Sequence, residues 1–143
     1  VRKLLAVRET QPTLPRLVKK TVTSSQPEYL SNARRIAALA DEHKAENIVA
    51  YAVGELTLLA DAFVICTATS EPHVKAVYSA VKEGMREAGS KTLHAEGSYT
   101  DGWVVLDYGD IIFHVFRKEA REFYDLDGLW GDAPRIDLAL PAG

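Results

Sequence analysis

The segment DAFVICTATSEPHVKAVYSAVKEGMREAG, Asp61 to Gly89, limits the possible folds more than any other part of this chain. Its first half, from Ala62 to Thr67, reads as a strand with no polar face, and such a strand belongs in a sheet covered on both sides. Helix signals follow at once. Ser70 can cap, Glu71 and Pro72 suit a first turn, and Gly89 suits the residue just past the end. Val74, Val77, Tyr78, Val81 and Met85 form one apolar stripe at helical spacing. A returning strand near TLHAE completes the order of a crossover unit.

The neighbouring segments fit the same layered plan. EYLSNARRIAALADEHKAE places Leu30, Ala33, Ile36, Ala37, Leu39 and Ala40 near helical spacing, which predicts a helix of about four turns. NIVAYAV is a short β-branched strand, and GELTLLA breaks it. In WVVLDYGDIIFHVF, two strand-forming runs, Trp103 to Leu106 and Ile111 to Phe116, flank the polar interruption Asp107, Tyr108, Gly109 and Asp110. That pattern predicts a β-hairpin. Alternation puts Ile111, Phe113 and Val115 on one face and Ile112, His114 and Phe116 on the other. RKEAREFYDLDGLW then predicts short helices that cover one side through Ala120, Phe123, Tyr124 and Leu126, with Leu129 and Trp130 beyond Gly128. The expected fold class is α/β, a mixed β-sheet flanked by helices. A basic, proline-containing extension (residues 1–27) precedes the domain (28–143), whose tail is extended from about residue 131, with Ile136 and Leu138 packing back.

At 143 residues and 47% hydrophobic, the chain is sized for one domain. Its single cysteine, Cys66, has no partner for an internal bridge and reads as a small apolar core group. No apolar run approaches the roughly 20 residues of a membrane span, and no secretory signal is visible, so the expectation is a cytoplasmic protein without membrane contact. Charge is segregated. Residues 1–26 carry a net +5 and the remainder a net −8, with ten acidic and four basic groups from Ala95 onward. The extension reads as a solvated tail, a tether toward RNA or an organellar address. For the domain, the balance argues against direct DNA binding and for an acidic face that meets a basic protein.

Candidate chemistry is sparse. Asp107 and Asp110 lie three apart across a turn, whereas metal-holding carboxylates on a strand need i and i+2 spacing. Their expected role is to accept hydrogen bonds from turn amides. Glu96 could join them. The Thr67 to Ser70 loop could offer amides to an anion at a helix start, although capping alone explains Ser70. His43, His73, His94 and His114 lack metal-ligand spacing, and His114 reads as a core or interface residue. Catalytic residues, cofactors and metals are therefore all expected to be none.

Several ordered motifs carry a resemblance: ADAFVICTATSEPHVKAV, AEG, GWVVLDYGDIIFHVF and REFYDLDGLWGDAP. Across roughly Leu30 to Pro134 the chain resembles the ribosomal silencing factors, also called the Iojap family. The resemblance implies a nucleotidyltransferase-like fold lacking the catalytic carboxylate set. It also implies a non-enzymatic factor that binds ribosomal protein L-fourteen on the large subunit. Such a factor sterically blocks joining of the small subunit when nutrients are scarce, and it forms a homodimer off the ribosome. The family's binding strand maps onto Trp103, Val104, Val105, Leu106 and Asp107, with Trp103 as apolar anchor and Glu96, Asp107 and Asp110 as acidic complements. The alternative for Trp103 is a core residue at a strand end. Where relatives often carry Gly-Thr-Ser or Gly-Asn-Ser after VIC, this chain has Ala68, Thr69 and Ser70, which restricts the backbone there. The competing function is a nucleotidyltransferase-like enzyme or nucleotide-binding protein using Glu96, Asp107, Asp110 and the Thr67 to Ser70 loop.

Overall fold

The computed structural model describes residues 28–140, so the N-terminal extension lies outside the described residues. Helix α1 (Glu28–Glu42) and strand β1 (Glu46–Ala52) come first. They are followed by β2 (Ala62–Ala68), α2 (Glu71–Glu87), β3 (His94–Ser98), β4 (Trp103–Asp107) and β5 (Ile111–Arg117). Two short helices, α3 (Lys118–Tyr124) and α4 (Leu126–Leu129), complete the order. The local signals are realised. Ser70 accepts a hydrogen bond from the His73 amide as N-cap of α2, and Gly89 takes φ +94° just beyond it. Gly109 takes φ +91° in the hairpin turn.

The five strands lie in the order β1-β2-β5-β4-β3. The sheet is mixed: β2 and β5 are parallel, and the other pairings are antiparallel. The β2-α2-β3 crossover therefore skips two strands, and the parallel neighbour of β2 is β5. All seven residues of β2 are buried, as a strand without a polar face requires.

Two cores sandwich the sheet. On one face, Ala62, Val64, Cys66, Val104, Leu106, Phe113 and Val115 meet Ala33, Ile36, Ala37 and Ala40 of α1 and Val74, Val77, Val81 and Met85 of α2. On the other, Phe63, Ile65, Trp103, Val105, Ile112 and Phe116 meet Leu126 and Trp130. Each fully buried large apolar side chain contributes about 1.5–3 kcal/mol. Burial pushes the Cys66 thiol up to about 12, which keeps it an inert core group.

The two sheet edges are finished differently. Along β1 the C-terminal tail pairs with the outer backbone. The Ala52 amide donates to Pro134 O at 2.8 Å, and the Ile136 amide donates to Ala50 O at 2.9 Å. Leu138 packs back into the α1–α2 core. Strand β3 is the last strand at the opposite edge, and three of its five residues are exposed.

Candidate functional site at the open sheet edge

Trp103, Val104, Val105 and Leu106 are all buried, Trp103 to 2% exposure. This burial matches the alternative reading of Trp103, a core residue at a strand end. Its indole stacks on Phe116 with ring centroids 4.8 Å apart, lies 4.5 Å from Tyr124, and donates from Nε1 to His114 Nδ1 at 3.1 Å. An indole N–H only donates, so His114 Nδ1 is the acceptor and Nε2 carries the proton. His114 is fully buried, and Nε2 has no hydrogen-bond partner among the described residues. Burial pushes its pKa down to about 3, which leaves the ring neutral. Among the described residues one ring nitrogen is therefore partnered and the other is not, in a histidine that is a core residue.

What the four residues do is hold the edge above them. Directly paired residues share a face, so the pairings Glu96 with Val105 and His94 with Asp107 put His94, Glu96 and Asp107 on the Trp103 side of the sheet. His94 Nε2 lies 3.2 Å from Glu96 Oε2. Asp107 Oδ1 accepts from the Gly109 amide at 2.8 Å, the turn role expected for it. Asp110 is drawn elsewhere. Its carboxylate accepts from Asn32 Nδ2 at 3.3 Å on α1, which packs on the opposite face. The structure thus brings Glu96 and Asp107 together at the β3–β4 edge and leaves Asp110 apart. Among the described residues, no group of three or more His, Cys, Asp and Glu side chains could hold a metal ion.

Gly97 shapes this edge. It takes φ +97°, and a Cβ there would sit 2.1 Å from the Trp103 carbonyl oxygen. Only glycine takes this φ and lets β3 approach β4 so closely.

The Thr67 to Ser70 loop is occupied internally. Thr69 donates from its amide to His73 Nδ1 at 2.9 Å, and His73 Nε2 lies 2.8 Å from His43 O. Thr67 faces the opposite core, where its hydroxyl accepts from Arg121 at 2.8 Å. Arg121 also donates to Asn47 O at 2.7 Å and pairs with Asp127 at 2.9 Å, and Asp127 accepts from the Tyr51 hydroxyl at 2.9 Å. Burial alone would raise the Asp127 pKa, but the Arg121 guanidinium and the Tyr51 hydroxyl hold it below its ordinary value. Burial and the Asp127 bond push Tyr51 up to about 12. This network fastens α3 and α4 to β1 and β2 beside a cleft of about 410 Å³ lined by Glu46, Lys118, Glu122 and Asp125. Sequence reading missed it because residues 51, 67, 121 and 127 share no local periodicity. The only signal was the motif REFYDLDGLW, whose polar members were not placed.

The family model described as ribosomal silencing factor during starvation matches residues 25–142. The chain belongs to the ribosomal silencing factor family. It is 41% identical over 98 residues to the ribosomal silencing factor RsfS of Halalkalibacterium halodurans, covering 68% of this chain and 84% of that one. To the RsfS of Bacillus subtilis it is 40% identical over 102 residues, covering 71% and 86%. A crystal structure of a Chromobacterium violaceum protein superposes with a TM-score of 0.68 at 27% identity, covering 83% of this chain and 97% of that one. The family's role is regulatory, in translation. No described helix is long and apolar enough to cross a membrane.

Proposed function

We propose that the chain binds the large ribosomal subunit through ribosomal protein L-fourteen and blocks docking of the small subunit, repressing translation when nutrients are limiting. The observation that carries this reading is an acidic, open sheet edge in a member of the silencing family. Glu96 of edge strand β3 and Asp107 of its neighbour β4 sit on one face of the sheet, and the outer backbone groups of β3 have no neighbouring strand among the described residues. Such an edge complements Lys and Arg side chains and offers main-chain hydrogen bonds to a partner. Trp103, Val104, Val105 and Leu106 set the position of that edge from within the core. Asp110 supports the same loop from its α1 side.

Steric occlusion needs affinity and bulk but no chemistry, so the chain acts without catalysis, metal or cofactor. It works in the cytoplasm and pairs as a homodimer when off the ribosome. The test is co-sedimentation with isolated large subunits, small subunits and joined ribosomes. Wild-type protein is expected with free large subunits alone, and Glu96→Lys combined with Asp107→Lys is expected to reduce that fraction at least tenfold. Equal recovery with both subunits, or wild-type recovery of the charge-reversed variant, would overturn the reading.

A further inference from the structure

The opposite face of the same edge carries different chemistry. Lys75, Tyr78 and Lys82 lie along one stripe of α2, at positions i, i+3 and i+7. Tyr78 meets Tyr99 of the β3–β4 turn edge to face, with centroids 5.9 Å apart at 81°. The Lys75 ammonium lies 5.9 Å from the Tyr99 centroid, and that of Lys82 lies 5.7 Å from the Tyr78 centroid. Tyr78, Gly97, Ser98, Tyr99 and Val104 line a groove of about 320 Å³ between them.

Both lysines are exposed, and neither is paired with a carboxylate among the described residues. Glu83, the nearest acid in sequence to Lys82, is bound to Arg86. At nearly 6 Å the cation–π contacts sit at the limit of that interaction and are easily exchanged for a better anion. In a domain with a net negative charge, this groove is therefore flanked by two cations without a carboxylate partner among the described residues, beside two half-buried aromatic rings. Lysines that can swing to phosphates, beside rings that can take a base face, form the pattern of a site for unpaired nucleotides.

We propose that this groove grips a looped or single-stranded RNA segment, with Lys75 and Lys82 on phosphates and Tyr78 and Tyr99 against bases. The proposal rests on the ribosomal reading above, since a protein bound to one ribosomal protein has RNA as its neighbour. The β3–β4 edge then presents an acidic face to protein and a basic, aromatic face to RNA.

Fluorescence anisotropy with a short labelled single-stranded RNA of mixed adenosine and uridine tests it on the full chain. Wild-type protein is expected to bind at low salt. Tyr99→Leu, which keeps the apolar packing, should weaken binding about tenfold. Lys75→Ala with Lys82→Ala should lower the magnitude of the log-log salt slope by about 1.4, two phosphate contacts' worth. The exposed lysines are not needed for folding, so these variants remain readable whatever Tyr99→Leu does to stability. No binding at low salt would overturn the proposal. So would binding unchanged in all variants, which would assign RNA contact to the basic N-terminal extension. Loss of large-subunit co-sedimentation with RNA binding intact would count against the proposed function alone, and the reverse result against this groove alone.

Discussion

His114 is the residue at which burial has its sharpest thermodynamic consequence. Its ordinary pKa is 6.5 and its folded value is about 3, so between those values the unfolded chain binds a proton that the native chain refuses. Stability is therefore full above about pH 6.5 and falls as the solution is acidified, by roughly 1.4 kcal/mol per pH unit from this group down to about pH 3. Urea unfolding at a series of pH values should show that slope, and His114→Asn, which keeps a carbonyl acceptor for the Trp103 indole, should flatten it. Trp103 belongs to the same unit. Trp103→Ala removes a buried ring and the partner of His114, and is expected to cost about 3–5 kcal/mol in the same assay. Loss of ribosome binding in that variant would thus report unfolding, and substitutions at the half-buried Glu96 and Asp107, which lie outside the core, locate the face better.

At the scale of elements, the edge strand depends on one backbone conformation. Gly97→Ala demands φ near +97° from an L-residue and sets a methyl against the Trp103 carbonyl. The expected cost is about 1–3 kcal/mol, with faster amide hydrogen exchange confined to His94–Ser98 and its β4 partners. Equal exchange in mutant and wild type would show that the positive φ at Gly97 is not needed. The helices and the hairpin were readable beforehand because their signals are local: Ser70 and Gly89 bracket α2, and Gly109 turns the hairpin. Lateral strand order was not readable, because β2 pairs with β5 across some forty intervening residues and nothing in either strand names the other. The same gap hid the destination of Trp103. Alternation ties it to Val105, but only the docking of α3 and α4, through Tyr124, Leu126 and Trp130, decides that this face is covered. Asp110 was grouped with Glu96 for want of the same information, since α1 draws it to the other side.

The whole molecule is organised by its two unlike edges. Strand β1 is closed by the chain's own tail, while among the described residues no strand pairs with the outer side of β3; Glu96 of β3 and Asp107 of β4 lie on one face of this edge and the Lys75–Tyr78–Tyr99 groove on the other. Net charge alone could not show that separation, because a sum over the domain erases where each sign lies. The central claim is that this edge occupies the large subunit in place of the small one. It is tested most directly by mixing purified subunits under joining conditions, adding increasing amounts of the protein, and reading the joined and free fractions on a density gradient. The joined fraction should fall as the protein rises to match large subunits, and Glu96→Lys with Asp107→Lys should leave it nearly intact. Joining that proceeds undiminished while the protein is bound to the large subunit would contradict the claim.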